Sequence, residues 1–338
     1  MSTAASARRR ASCAWARGRA ASSALELAVE GDPTELRLQV GARFGGDGRL
    51  QGELRALEVG AENARVQGQV SLLLDQLGVL ELLSEEAVIA PVGRLSAELG
   101  IDGPLAEPAL QGAALLSGFG AELPALGIRP SEGRVELRLD GASAADLEFA
   151  FRSEGELRGR GRLDWSDAAE QPLRIEIEGS EVLLSDAAQV RLVASPALQL
   201  EQRGELLRLR GRVAVPRAEV RLDRFEGSQQ VSSDVVVLDP AQPERAVAAA
   251  QRIDADVRLA LGEDVELEGF GLNGRVSGEL RVRDRPGRTT NASGSLNVSG
   301  RYKAYGQDLD ITRGRLSFAQ SPLDNPGLDI RAERRIDE

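Results

Sequence analysis

The sequence contains no histidine, one cysteine and few aromatic residues. Histidine is the side chain that most often acts as a general base near neutral pH and as a neutral metal ligand, so its absence removes the usual parts of hydrolase and metalloenzyme sites. The single cysteine, Cys13, cannot form an internal disulfide. Aromatic residues are 3% of the 338 residues, which leaves an ordinary core short of the rings that fill space between packed layers.

The net charge and the absence of known motifs exclude further classes of function. A net charge of −11 disfavours nucleic acid as a partner, because phosphate binding needs a clustered basic surface. No stretch approaches the roughly 20 apolar residues that a membrane-spanning helix needs. The sequence has no nucleophile elbow, phosphate-binding loop or metal-binding motif. We therefore predict no enzyme activity, no catalytic residue, no cofactor and no metal.

Short segments that alternate apolar and polar residues run from Leu25 almost to the end of the chain. Residues 36–40, 135–139 and 173–177 are examples, and turns rich in Gly, Asp, Asn and Ser separate such segments. This alternation is typical of half-buried strands. We predict an all-β fold with a long, mainly antiparallel sheet. With few aromatics and little covering helix, periodicity leaves a sandwich, a closed barrel and an open curved trough as alternatives.

Helical patterns are few, and one compositional break divides the chain. Leu72–Glu86 is the best helix candidate and Pro243–Arg252 a weaker one, so few short helices are expected. Two prolines interrupt the strand pattern within Leu238–Pro243. We predict four parts: a disordered or misassigned N-terminus at 1–24, a quasi-repetitive β-groove segment at 25–239, a linker or short helix at 240–252, and a second β-groove segment at 253–338.

Asp254 and Asp256 lie two residues apart before an alternating strand, so they would share one face of it. Two carboxylates on one face are a candidate site for a cation or a proton. Solvated charge on the outer face is the favoured interpretation.

The C-terminal sequence resembles a known family. The segments that carry the resemblance are Gly300–Leu309, Gly314–Phe318 and Asp324–Ala332, with weaker matches upstream. They are similar to the C-terminal domain of the translocation and assembly module subunit TamB, a family related to the AsmA-like bridge proteins. The resemblance implies an open, curved, taco-like β-groove with an apolar interior. It also implies that the last part, 253–338, is truncated before its final strands.

The same resemblance implies a non-enzymatic periplasmic role within an inner-membrane-anchored protein whose anchor is not in this chain. Expected functions are phospholipid transport between inner and outer membranes and assembly and secretion of outer-membrane proteins and autotransporters. Expected partners are phospholipid acyl chains, outer-membrane protein substrates and a TamA-like outer-membrane barrel. The alternative is a chaperone or scaffold that presents sheet edges to unfolded barrel proteins together with such a TamA-like partner.

Strand alternation predicts which residues line the groove, because one side of every strand faces the same way. The candidate groove-lining residues are Val257, Leu259, Leu261, Val276, Leu280, Val282, Leu296, Val298, Tyr302, Leu309, Ile311, Leu316, Phe318, Leu328 and Ile330. The family motif adds residues with an expected structural role, with Gly306, Gly314 and Gly327 at turns and Asp308, Asn325 and Asp329 on turn amides. The full motif set is Tyr305, Gly306, Gln307, Asp308, Gly314, Asn325, Pro326, Gly327 and Asp329.

Overall fold

A computed structural model of the chain describes residues 7–15, 23–31, 34–43, 47–59, 61, 63–78, 87–141, 143–165, 173–222, 252–304 and 307–334. The chain divides into two compact units. Unit 1 comprises Met1–Ser153 and Leu157–Leu173, and unit 2 comprises Glu154–Glu156 and Arg174–Glu338. The described residues of both units are strands, turns and loops without a helix, which confirms the predicted all-β fold.

Unit 1 is built from consecutive strands in which each strand pairs antiparallel with the next, from β1 through β9. This order is that of a β-meander, in which a short turn can join antiparallel neighbours, as residues 105–108 do between Pro104 and Ala109. The strands are β1 Ala7–Trp15, β2 Ser23–Gly31, β3 Glu35–Arg43, β4 Arg49–Leu57, β5 Arg65–Leu74, β6 Ile89–Pro104, β7 Ala109–Glu122, β8 Ser131–Asp140 and β9 Ala144–Asp164.

Unit 2 contains the remaining strands, and from β13 to the end each again pairs antiparallel with the next. The pair β11–β12 is antiparallel as well. The strands are β10 Leu173–Ala187, β11 Val190–Arg203, β12 Leu206–Arg221, β13 Arg252–Gly269, β14 Leu272–Asp284, β15 Asn291–Ala304, β16 Gln307–Pro322 and β17 Gly327–Glu333.

The pair β12–β13 departs from the meander because its strands run parallel. Leu206 is opposite Arg252 at one end of the pair, and Arg221 is opposite Glu268 at the other. Parallel neighbours need a crossover connection of a dozen or more residues, and residues 223–251 between these strands are numerous enough. The proline-containing segment predicted as a linker therefore lies between two strands that pair directly within unit 2.

The predicted helix at Leu72–Glu86 is wrong where the structure describes it. Strand β5 continues to Leu74, and Leu72 lies between Leu50 of β4 and Ala97 of β6 in the cross-strand register. Pairing on both sides outweighs a local helical pattern, because strand preference depends on cross-strand packing. Residues 79–86 and 243–251 of the two helix candidates lie outside the described residues, and Arg252 begins β13.

Residues 1–24, predicted to be a disordered or misassigned N-terminus, are described at 7–15 and 23–24. Strand β1 lies within residues 1–24, and β2 begins there at Ser23. The two strands pair over their full lengths, from Ala7 opposite Gly31 to Trp15 opposite Ser23. A neighbour for β2 satisfies backbone groups that would otherwise form an open sheet edge.

Burial is concentrated on one face of the sheet in unit 2. A cluster of buried side chains packs around Val276, Leu280, Leu296 and Phe318, each 7–8% exposed. Its other buried members are Ala194, Val215, Ala218, Val265 and Ala292. Within the described residues of both units, no polar or charged residue is fully buried. The core is therefore aliphatic with a single phenylalanine, as the aromatic-poor composition requires.

Candidate functional site

The apolar residues of unit 2 form cross-strand rows on one face of the sheet, which we call the apolar face. One row runs from Leu259 to Leu280, Gly294 and Phe318, each directly opposite the next. Because successive side chains of a strand point to opposite faces, aligned residues at every second position share a face. Bulges in β13 and β16 preserve this assignment across their register shifts.

The register places every candidate groove-lining residue on the apolar face. These residues differ in how far they are exposed to solvent. Val276, Leu280, Leu296 and Phe318 are buried in the core cluster. The half-buried set is Val257, Leu259, Leu261, Val282, Val298, Leu309, Ile311 and Leu316. The protein's own side chains thus cover the middle of the apolar face, which is not an empty groove there.

Three candidate residues remain exposed at the far side of the apolar face. Leu328 and Ile330 on β17 are 67% and 53% exposed, and Tyr302 on β15 is 40% exposed. Leu328 lies opposite Leu316, and Ile330 opposite Gly314, so they continue the apolar rows outward. Adjacent exposed apolar side chains of this kind favour binding of an apolar guest or partner.

Unit 1 contains a cavity of about 1050 Å³ that sequence reasoning did not single out. Its lining follows three neighbouring cross-strand rows of β2 to β7. The central row, here called the apolar row, consists of Leu27, Val40, Gly52, Val70, Leu99 and Gly112. Its four large side chains are half-buried, so they are not packed into a closed core. The cavity has room for a drug-sized ligand, but polar side chains outnumber apolar ones in its lining, so its volume alone does not select hydrocarbon.

Polar rows flank the apolar row on both sides. One contains Gln39, Glu53, Gln69 and Gln111, and the other contains Glu26, Gln51, Ser71 and Glu98. Strand alternation directs the side chains of the polar rows and of the apolar row to opposite faces. Across β2 to β7 these three rows therefore divide into one apolar and one hydrophilic face. A signal for it was present in the alternation at residues 36–40, but neither the register nor the cavity could be read from it.

Glycines shape the rows of unit 2. Gly278 lies between Leu261 and Leu296 in the register and has a φ of 128°. A Cβ added there would approach the Ser295 carbonyl oxygen to 2.5 Å, so no larger residue fits without a backbone shift. Glycine at such a position permits close strand approach and bending.

Charged residues occupy the opposite face of unit 2. Both Asp256 carboxylate oxygens accept hydrogen bonds from Arg281, at 2.6 and 2.7 Å, and Arg283 Nε lies 3.4 Å away. The hydrogen bond from Arg281 lowers the pKa of Asp256 from its ordinary value despite an opposing effect of burial. Asp254 accepts a 2.7 Å hydrogen bond from Arg210. The two aspartates are thus partly buried partners of arginines on the polar face.

The family-motif residues are only partly at turns. Gly314 lies inside β16, where an added Cβ would meet the Val298 carbonyl oxygen at 2.1 Å, so the predicted turn role is wrong and close strand approach explains the glycine. Gly327 is the first residue of β17, after the turn. Asp329 lies within β17, 3.8 Å from Arg313.

The rest of the motif falls around two turns. Asn325 donates its backbone N–H to the Pro322 carbonyl oxygen at 3.0 Å, and Pro326 follows directly before β17. Gln307 and Asp308 are exposed at the start of β16. Tyr305 and Gly306 lie outside the described residues.

Comparison with known proteins identifies the family. Residues 145–338, more than half of the chain, match the TamB C-terminal domain. The chain belongs to the TamB family. The translocation and assembly module subunit TamB of Haemophilus influenzae is 25% identical over 302 residues, which cover 85% of this chain and 23% of that protein. The chain thus spans less than a quarter of the length of this TamB relative. No solved structure matches.

The match confirms the resemblance predicted from the C-terminal motifs. The exposed strand β17 and the core cluster around Leu280 lie inside the matched TamB domain, whereas the cavity of unit 1 lies before it. In the described part of the chain, no helix is long and apolar enough to cross a membrane.

Proposed function

We propose that this TamB-family chain is a non-enzymatic segment of a periplasmic conduit, in which an apolar sheet face carries phospholipid acyl chains between the inner and outer membranes. By the same proposal it belongs to an inner-membrane-anchored protein that supports outer-membrane protein and autotransporter assembly with a TamA-like barrel. The observation that carries the proposal is the incompletely covered apolar face, seen in the half-buried side chains of the apolar row of unit 1 and in the exposed Leu328 and Ile330 of β17 in unit 2.

Aliphatic rows suit a hydrocarbon guest for an energetic reason. Burial of each methylene group contributes about 0.8 kcal/mol, so a tail gains affinity from length rather than from one strong contact. Leu27, Val40, Val70 and Leu99 are aliphatic and half-buried, and their row extends across six strands. A guest held by many small contacts can move along the row without losing all of them together.

A charge placed in the apolar row tests the proposal. The chain, incubated with phospholipid vesicles and re-isolated, is extracted and its bound phospholipid is measured by mass spectrometry. Val70→Asp should lower bound phospholipid at least about fivefold, because an unpaired carboxylate is costly to bury beside hydrocarbon. Gln69→Asp, next to it on the polar face, is the matched control and should bind as the unaltered chain does.

Two further results decide the outcome if Val70→Asp is unstable. Val70→Thr keeps the side-chain shape and replaces one methyl group with a hydroxyl, so a folded variant with partial loss of bound phospholipid supports the proposal. If Val70→Asp and Gln69→Asp both fold and bind phospholipid equally to the unaltered chain, the apolar row does not carry acyl chains.

A second candidate function is a scaffold for unfolded outer-membrane proteins, favoured by β17. This strand pairs with β16 through residues 327–333, and Leu328 and Ile330 are among the most exposed large apolar residues described. An extended peptide can add to a sheet edge by backbone pairing with alternate side chains in contact. A barrel-derived C-terminal strand peptide that binds, and that phospholipid does not displace, would favour this function over the conduit.

A further inference from the structure

Three arginines lie side by side on the polar face of unit 2, one on each of three neighbouring strands. Arg258 of β13 lies directly opposite Arg212 of β12 on one side and Arg281 of β14 on the other. Residues paired in this way point to the same face, and neighbouring strands are about 5 Å apart. Like charges held opposite one another repel and weaken the pairing of their strands. We call these three residues the arginine row.

Among the described residues, one member of the arginine row has a partner of opposite charge. Arg281 donates two hydrogen bonds to Asp256, one to each oxygen of the carboxylate. Arg212 and Arg258 are exposed, and in the described part of the chain no carboxylate lies within ion-pair distance of either. Glu279 is diagonal to Arg258 in the register and forms no ion pair with it. Two adjacent guanidinium groups therefore have no counter-charge in direct contact.

The adjoining row of the polar face adds positive charge. It consists of Arg210, Asp256 and Arg283, so one carboxylate lies between two further arginines. Asp254, one row beyond, accepts a 2.7 Å hydrogen bond from Arg210. Five arginines and two carboxylates thus gather on this part of β12, β13 and β14, in a chain whose net charge is −11. A local excess of positive charge attracts an anion.

On its other side the arginine row is bordered by small residues. The next row of the polar face contains Ala214 opposite Ala260, with Ser195 of β11 beyond Ala214. Ala214 is exposed despite its short side chain, so larger neighbours do not cover it. A ligand can therefore reach the sides of Arg212 and Arg258 without displacing another side chain.

The number of oxygens and the charge select the kind of anion. A single guanidinium group engages both oxygens of a carboxylate, as Arg281 does with Asp256. Two opposed guanidinium groups need an anion with more oxygens and more than one negative charge. A phosphomonoester has three terminal oxygens and a charge of about −1.5 to −2 near neutral pH, which matches Arg212 and Arg258 together.

We propose that the arginine row binds a phosphomonoester, with Arg212 and Arg258 donating hydrogen bonds to its terminal oxygens. The proposal goes beyond carriage of acyl chains, since the site lies on the polar face and needs no hydrocarbon. It also accounts for the repulsion within the row, because an anion bound between two arginines attracts both of them.

The test is titration of the 338-residue chain with inorganic phosphate at constant ionic strength, followed by phosphorus NMR line broadening. Binding should be saturable, and Arg258→Gln should weaken it about tenfold, because charge-assisted hydrogen bonds are lost. Arg212→Gln should weaken it to a similar extent. Both variants remove repulsion, so in phosphate-free buffer they should unfold at a urea concentration no lower than the unaltered chain does.

Arg275 provides a matched control. It is exposed on the polar face of β14, lies opposite Glu266 and forms an ion pair with it at 3.3 Å. Arg275→Gln removes the same charge as Arg258→Gln and should bind phosphate as the unaltered chain does. The proposal is overturned if the unaltered chain does not bind phosphate saturably, if Arg258→Gln and Arg212→Gln bind it equally well, or if Arg275→Gln loses as much binding.

Flotation with vesicles identifies the source of the phosphomonoester. Phosphatidic acid in phosphatidylcholine vesicles presents phosphomonoesters, whereas pure phosphatidylcholine presents only phosphodiesters beside a cation. If the chain floats with the first vesicles alone, and Arg258→Gln does not, the site binds a lipid headgroup. If the chain binds inorganic phosphate and floats with neither, the site binds a soluble phosphomonoester.

The arginine row and the conduit can fail separately. Val70→Asp, which should lose bound phospholipid, should bind inorganic phosphate as the unaltered chain does. Arg258→Gln should lose phosphate binding and retain the phospholipid that is measured after re-isolation. Loss of phosphate binding in a folded Val70→Asp variant would contradict a site confined to the polar face of unit 2.

Discussion

Asp256 of β13 accepts both hydrogen bonds of the Arg281 guanidinium on β14, at 2.6 and 2.7 Å, on the face of the sheet opposite the apolar rows. The pair is diagonal, since Asp256 lies directly opposite Arg283 and Arg281 directly opposite Arg258. One carboxylate thereby joins two arginines of the neighbouring strand. This pairing lies on the polar face. Val257, the next residue of β13, has its side chain on the apolar face.

Asp256→Asn should lower the free energy of unfolding by roughly 1 kcal/mol at neutral pH, because the carboxylate is only partly buried and solvent screens the pair. The depressed pKa of Asp256 means that its contribution is present above the unfolded value of about 3.9 and is lost as pH falls through the lower folded value. Urea unfolding of both chains at several pH values measures how the contribution of Asp256 to the free energy of unfolding depends on pH. A difference between variant and unaltered chain that grows below pH 4 would contradict it.

Gly278→Ala should destabilise unit 2 by about 2 kcal/mol or more, since its Cβ would collide with the Ser295 carbonyl oxygen and φ is 128°. Gly41→Ala is the control, because an added Cβ there meets nothing within 4 Å. Alanine lowers the conformational entropy of the unfolded chain, so the free energy of unfolding of Gly41→Ala should be unchanged or higher by a few tenths of a kcal/mol. Thermal unfolding measures the stability of both variants. An equal loss of stability in Gly278→Ala and Gly41→Ala would refute the predicted collision at Gly278.

Phe151 contacts two other rings in unit 1. Its centroid lies 6.1 Å from that of Phe119, edge to face, and 6.0 Å from that of Phe149. Each aromatic pair contributes about 0.5–1.5 kcal/mol beyond area burial. Phe151→Leu should therefore destabilise the chain by about 1 kcal/mol more than Phe149→Leu in chemical denaturation. The reverse order would show that the rings do not act as a group centred on Phe151.

Strand identity and face were predictable from the sequence because the side-chain period of two is a local property. Leu259 and Val298 were assigned to one face in this way, and the register places them there. Leu72–Leu74 was misread as helix because closely spaced leucines fit both periods, and only pairing with β4 and β6 decides between them.

The parallel pair β12–β13 and the extent of burial could not be predicted. Both depend on contacts between residues far apart in sequence, such as Arg221 opposite Glu268. Alternation likewise could not distinguish Leu280, which is buried, from Ile330, which is exposed on the same face. Position in the sheet decides that difference, since Ile330 lies on the last described strand and Leu280 lies within the core cluster.

The most direct test of the account places a photo-crosslinking amino acid at neighbouring positions that differ only in face. Leu99 and Leu259 lie on the apolar faces of units 1 and 2, and Glu98 and Arg258 are exposed beside them on the polar faces. In the presence of phospholipid vesicles, irradiation should yield lipid adducts at Leu99 and Leu259 several times more often than at Glu98 and Arg258. Equal labelling of both pairs, or adducts only at the polar positions, would contradict a one-sided apolar path for acyl chains.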